Sequence, residues 1–515
     1  MLAKTETIAL KGIRGMRVTV ETDISKGLPY FTIIGLGDAA VKESSERVRR
    51  AIANSGFKYP SGRITVNLSP AYAYKRGSHY DLSIAIGVLT ASGIIQSKPL
   101  RRIFIGELSL DGRVLPVKGA LPMASFVIEG GDDCCELILP EANCIEASLV
   151  TSGTRVKLIP VKTLNEAVRH VEGNLINAYE GKPMICRKSS ESDFADVKGH
   201  SAAKSAIAVA MAGAHSILLV GSPGTGKTML ASRAAGILPP MDILEKLETT
   251  KIYSAAGSLS EGMPIIEDRP FRYVTARATK MQLVGGGTEP MPGEISFAHN
   301  GVLFIDEMLE MPRGILESLR EPMEEKKVRI MRKGVSTVFP ADFILIGAAN
   351  PCKCGFLGDQ FHKCTCSQTD IDNYRNKLSG PMADRIDMCI EILKPLHGDL
   401  TGLETQSTCQ LKKKVQIARE IQKDRFKGLN ICCNSRMNVS QLEKFCVLDL
   451  ECTKFMEQIY EVYGISTRRY HKILKLARTL ADMDEEEHIG ENHLASALNY
   501  TRALRGRLGK CGLGE

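Results

Sequence analysis

The octapeptide Gly221-Ser222-Pro223-Gly224-Thr225-Gly226-Lys227-Thr228 constrains this chain more tightly than any other part of it. It follows four aliphatic residues, Ile217–Val220, and runs into an apolar helical stretch from Met229 to Ala235. The pattern is G-x-x-x-x-G-K-[ST], set in the strand–loop–helix context that the motif requires. Glycines let the backbone curl so that successive N–H groups point inward at one anion. The helix that follows adds its positive end. Lys227 reaches the β- and γ-phosphates of a nucleoside triphosphate, and the Thr228 hydroxyl holds Mg²⁺. Gly221 to Met229 are therefore the candidate ATP-binding residues. A glycine-rich turn without a ligand is the plain alternative, and the flanking strand and helix speak against it.

Two more apolar runs end in polar residues. Val302–Ile305 delivers Asp306 and Glu307, and Phe343–Ile346 leads to Asn350. Runs without polar alternation suit strands buried on both faces of a parallel sheet. Such a sheet carries its functional groups at the C-terminal edge, where the phosphate loop also sits. Asp306 would support Mg²⁺, Glu307 would polarise the attacking water, and Asn350 would sense the γ-phosphate or orient the water.

The 515 residues allow about three domains. Residues 1–172 alternate strands and helices, and 173–192 lose the apolar period and read as a linker. Residues 193–397 form an α/β core, 398–508 a helical lid, and 509–515 a tail. Strands are expected at Arg17–Val20, Tyr30–Gly35, Arg63–Leu68, Ile103–Leu108, Glu136–Leu139 and Arg155–Pro160. The net charge of +8 permits an acidic partner without requiring one. No apolar block suits a signal peptide or a membrane span, so the expectation is a cytoplasmic protein with no membrane partner.

GSPGTGKT, VLFIDE, NPCKCGFLGD and LSGPMADRID together resemble the magnesium-chelatase-like AAA+ ATPases of the ComM/YifB type. GLPYFTIIGLGDAAVKESSERVRRAI and GELSLDGRVLPVKGALP are similar to that family's Lon-protease-like, S5-type α/β domain. The resemblance implies an AAA+ core with a parallel sheet and a C-terminal helical lid. It places Arg385 where such ATPases carry an arginine finger, and Arg468 at the second sensor, with Arg469 an adjacent competitor. A finger acting on a neighbouring subunit implies a homohexamer with ATP and Mg²⁺ at its interfaces. One departure stands out. Where the family has a histidine pair after Pro-Phe-Arg, this chain reads Pro270-Phe271-Arg272-Tyr273-Val274. Proteolysis by a Ser–Lys pair is not expected, because Asp81 falls near the nucleophile position and Leu121 at the lysine position. Ser78, Ser83 and Lys118 lie close enough in sequence to leave a shifted pair open.

Cys352, Cys354, Cys364 and Cys366 form two C-x-C pairs that could hold a tetrahedral Zn²⁺, or stay as reduced thiols. Lys326, Lys327, Arg329, Arg332 and Lys333 lie in a segment that alternates like a hairpin. In rings of this clade such a hairpin projects into the pore, where basic groups would track phosphates without reading bases. Three functions compete: a motor on branched or single-stranded DNA driving branch migration in recombination or natural transformation, a magnesium-chelatase-type motor subunit, and a protein-remodelling or Lon-like proteolytic ATPase.

Overall fold

A computed structural model describes residues 2–96, 100–131, 135–181, 192–260, 263–288, 290–332, 335–359, 361–378, 380–395 and 406–506. They cluster as two compact units. The first holds the described residues of Met1–Cys186, Ile243–Ile266 and Lys333–Phe339, and the second holds the rest.

The first unit is built on a seven-stranded mixed sheet. Its order is Tyr30–Ile34, Arg63–Ser69, Arg14–Ser25, Leu2–Lys11, Arg102–Phe104, Glu136–Pro140 and Lys157–Val161. The strand Leu2–Lys11 was not among the expected strands. It pairs with Arg14–Ser25 over its whole length, antiparallel from Leu2 opposite Asp23 to Lys11 opposite Arg14. Its charges hide the period-two pattern, and two of them find partners on a neighbouring strand or its flank: Lys4 lies 2.9 Å from Glu21, and Glu6 lies 3.6 Å from Arg101. Ile8 and Ala9 enter different hydrophobic clusters, as alternation across a strand requires. The expected single strand Ile103–Leu108 is two, Arg102–Phe104 and Glu107–Leu108.

The helix Asp81–Ala91 is almost wholly buried in this unit. A Cβ on Gly87 would stand 2.7 Å from Thr22 Oγ1, so only glycine lets the helix lie this close to the sheet. The helix Ile243–Ala256 also belongs here, far from its neighbours in sequence. Ser254 donates to Glu146 Oε2 at 2.8 Å, and Lys251 pairs with Glu129 at 3.2 Å.

The second unit carries a five-stranded sheet in the order Phe271–Val274, Val302–Ile305, Ile344–Ala349, Ile217–Val220 and Met388–Glu391. Every pairing is parallel. The three inner strands match the expected apolar runs, and every residue of them is buried. The edge strands Phe271–Val274 and Met388–Glu391 were not foreseen, because edge strands are short and mix polar residues. Helices Thr408–Arg425 and Thr467–Met483 share one hydrophobic cluster with Ser201–Gly213, through Val415, Ile473, Ile207 and Met211. Gln422 donates to Ala212 O at 3.1 Å, and the His215 ring nitrogen meets Thr479 Oγ1 at 2.9 Å. The lid thus shares a core with the sheet domain. Among the described residues, no helix is long and apolar enough to cross a membrane.

Candidate functional site

The strand Ile217–Val220 ends at the loop, and the Gly221 N–H donates to Ala349 O at 3.1 Å. Gly224 and Gly226 have φ of +77° and +81°, the left-handed region that costs a side-chain-bearing residue. Lys227 opens the short helix Lys227–Ser232. Its ammonium donates to Gly221 O at 2.7 Å and to Ser222 O at 2.9 Å, and lies 3.4 Å from Asn350 Oδ1. Burial pushes its pKa down, and Asp306 and Glu307 oppose that shift. Met229, just beyond, is exposed.

The Thr228 hydroxyl donates to Asp306 Oδ2 at 3.1 Å, as two groups sharing a divalent cation should stand. The Glu307 N–H donates to Asp306 Oδ1 at 3.0 Å. Glu307 holds φ +49° and is exposed. That conformation costs about 1–3 kcal/mol in a residue with a Cβ. Lys227, Thr228, Asp306, Glu307 and Asn350 all follow strand ends, so parallel order alone gathers them at one edge.

Tyr273 belongs to this group and sequence reasoning passed over it. It lies on the edge strand in the segment where the histidine pair is missing, and its hydroxyl donates to Asp306 Oδ2 at 3.2 Å. Burial and the adjacent Asp306 carboxylate push its pKa up, which keeps the hydroxyl a donor. A tyrosine two residues into an apolar edge run carried no signal of this role.

Arg385 and Arg468 lie elsewhere. Arg385 precedes the strand Met388–Glu391, and Asp387 accepts from the Ser216 N–H at 3.1 Å, just before the strand Ile217–Val220. This is the N-terminal edge of the sheet, opposite the phosphate loop. Four strand residues separate the edges by roughly 13 Å. The Arg385 side chain is buried and pairs with Glu324, and Arg468 lies 3.8 Å from the same carboxylate. Arg469 instead donates to Thr501 O at 3.1 Å, within the lid. A cleft of 540 Å³ opens here, lined by Glu324, Lys326, Arg385, Arg436, Arg468 and Lys472 among others. Burial would raise the pKa of Asp387, but His215 and Lys472 hold it down at about 2.

The basic hairpin segment divides. Strands Lys327–Arg332 and Val335–Pro340 form a two-stranded sheet. Lys326 lies 4.0 Å from Asp342 and lines the arginine cleft. Arg329 pairs with Glu325 at 2.6 Å and with Glu321 at 3.5 Å, and Lys327 with Glu325 at 3.6 Å. Arg332 is exposed, and Lys333 lies outside the described residues.

In the first unit, Asp81 is fully buried and bound by Arg47, Nε to Oδ2 at 2.7 Å. Ser78 pairs with Glu107, Ser83 meets Thr5 Oγ1 at 3.0 Å, and Leu121 is buried. Lys118 lies along Gly257: a Cβ on that glycine would stand 2.6 Å from Lys118 Cδ. Each group of the shifted Ser–Lys pair has another neighbour.

The family profile of magnesium chelatase, subunit ChlI, matches residues 193–399. Profiles of subunit ChlI of Mg-chelatase and of its C-terminal part match 20–143 and 405–501. The competence protein ComM of Haemophilus influenzae is 39% identical over 517 residues, 98% of each chain. The chain belongs to the ComM/YifB-type magnesium-chelatase-like AAA+ family. YifB of Escherichia coli is 38% identical over 97% of each chain. The magnesium-chelatase 67 kDa subunit of Heliobacterium mobile matches 32% of this chain at 30% identity. A ComM-type AAA+ ATPase uses ATP and Mg²⁺, and the groups gathered around Lys227 and Asp306 fit both.

Proposed function

We propose that the chain is a ring-forming motor that couples ATP hydrolysis to movement along DNA, in branch migration during recombination or natural transformation. Lys227 binds the β- and γ-phosphates, Glu307 orients the water, and Asn350 reports the γ-phosphate to the strand Ile344–Ala349. Thr228 and Asp306 would hold a Mg²⁺, which would neutralise phosphate charge. The observation that carries the ring is the position of Arg385 and Arg468. They share Glu324 at the sheet edge facing away from their own phosphate loop, which supports a role at another subunit's nucleotide. Six copies then close a ring with an ATP site at each interface.

DNA as the track is supported by near full-length similarity to a competence protein. The exposed Arg332 is the basic hairpin group best able to meet a phosphate, since Arg329 and Lys327 are already paired with glutamates. The free cysteines of the described residues suit a reducing, cytoplasmic compartment. A chelatase motor is favoured by the profile names and by a match to a chelatase subunit over 32% of this chain. Purified protein is assayed for ATPase with and without a four-way DNA junction, and for strand exchange, in the absence of other proteins. Stimulation by the junction with strand exchange is expected. ATPase indifferent to DNA, with no strand exchange, would turn the reading toward a chelatase or protein-remodelling motor.

A further inference from the structure

We propose that Cys352, Cys354, Cys364 and Cys366 bind one structural Zn²⁺, and that the loop this metal ties down braces the phosphate loop and so sets nucleotide affinity. The four sulfurs all lie within 4.8 Å of one another. Cys352 and Cys354 approach to 3.3 Å, Cys352 and Cys364 to 3.7 Å, and Cys354 and Cys364 to 3.5 Å. A tetrahedral site with Zn–S bonds of about 2.3 Å has sulfurs about 3.8 Å apart. The Cys354 N–H donates to Cys366 Sγ at 3.4 Å. On binding a metal, the thiols would give up their protons to solvent. Four thiols facing one another at these distances gain little from mutual contact, whereas one soft cation satisfies them all.

The coupling comes from what the loop touches. Cys352 follows Asn350 by two residues, and Asn350 faces Lys227. Gly355 lies against the phosphate loop: a Cβ there would stand 2.8 Å from Pro223 Cδ. Asp359 lines one small pocket together with Gly221 and Ser222 and takes the N–H groups of Phe361 and His362, at 2.8 and 2.9 Å. Gly355 and Asp359 both lie between the two cysteine pairs. Releasing the metal therefore frees the contacts that hold Ser222 and Pro223 in place. This coupling rests on reading the phosphate loop as a nucleotide site.

The test uses full-length protein purified without added metal. Zinc is counted by elemental analysis, and binding of a fluorescent ADP is measured on the same sample. About one zinc per chain is expected, with the four thiols shielded from alkylation. Stripping the metal, or the double substitution Cys364→Ser with Cys366→Ser, should weaken ADP binding about tenfold or more. Returning Zn²⁺ to the stripped protein should restore it. Asp359→Asn should keep its zinc and still lose ADP affinity several-fold, which guards against a cysteine variant that merely misfolds. Zinc below about a fifth per chain, with all four thiols alkylated in the folded protein, overturns the metal site. Full zinc with ADP affinity unmoved by stripping or by Asp359→Asn overturns the coupling. If zinc-loaded wild-type protein binds no ADP at all, the nucleotide reading fails while the zinc count stands.

Discussion

On the proposed function, Lys227 and Glu307 divide the work of the site between binding and turnover. Lys227→Ala should abolish ATP binding. Glu307→Gln should keep binding and slow phosphate release by about a hundredfold or more, since it removes only the water-orienting carboxylate. Binding and release measured side by side decide this, and equal loss of binding in both variants would overturn the roles. Tyr273 acts through Asp306, which it holds by one hydrogen bond. Tyr273→Phe should raise the Mg²⁺ concentration for half-maximal ATPase by about tenfold, the usual order for a group behind a metal ligand. An unchanged Mg²⁺ dependence would leave Tyr273 a packing residue. The gathering of Lys227, Asp306, Glu307 and Asn350 at one sheet edge was legible because each follows an apolar run at a short offset. Tyr273 was not, because its partner is 33 positions away in sequence.

At the scale of elements, the lid helix Thr467–Met483 carries a buried ionic knot. Asp482 is fully buried and accepts from Arg425 Nη1 at 2.7 Å, Arg478 Nε at 3.0 Å and Asn434 Nδ2 at 2.7 Å. Asp482→Ala would leave two guanidinium groups buried without their carboxylate, at a cost of about 3–5 kcal/mol. Amide hydrogen exchange in Thr467–Met483 should accelerate accordingly, while the first unit is unaffected. Uniform acceleration in both units would show a global effect instead. A second element-scale device is Asp387, which ties Ser216 to the start of the strand Met388–Glu391. Its carboxyl is held at about 2, below the usual aspartate value. A depressed carboxyl contributes stability that is present above the unfolded-state value of about 3.9 and lost as pH falls toward 2. Wild-type protein should therefore lose more urea resistance between pH 4 and pH 2 than Asp387→Asn does. Equal losses would mean that Asp387 does not carry this dependence.

At the scale of the whole molecule, the proposed ring makes the arginine pair part of active sites shared between subunits. Arg385→Ala and Lys227→Ala should each be nearly inactive alone. Mixed rings should recover ATPase, because some interfaces then join an intact phosphate loop to an intact arginine. ATPase of mixtures at rising ratios of the two variants measures this. No recovery, where mixed hexamers demonstrably form, would return Arg385 to a local ion pair with Glu324.

The nucleotide loop, the acid pair and the parallel sheet were determined by the sequence alone. Each depends on a local pattern: glycines at fixed spacing, or an aliphatic run ending in a carboxylate. The strand Leu2–Lys11 stayed hidden because its charges break the period-two pattern, and the partners of Lys4 and Glu6 are distant in sequence. The helix Ile243–Ala256 reads as part of the core in sequence, yet packs with the first unit. The paired placement of Arg385 and Arg468, and the seating of Gly355 and Asp359 against Pro223 and Ser222, came only from the tertiary structure. Both depend on contacts between segments far apart in the chain, and no local periodicity encodes which distant residue a side chain will meet.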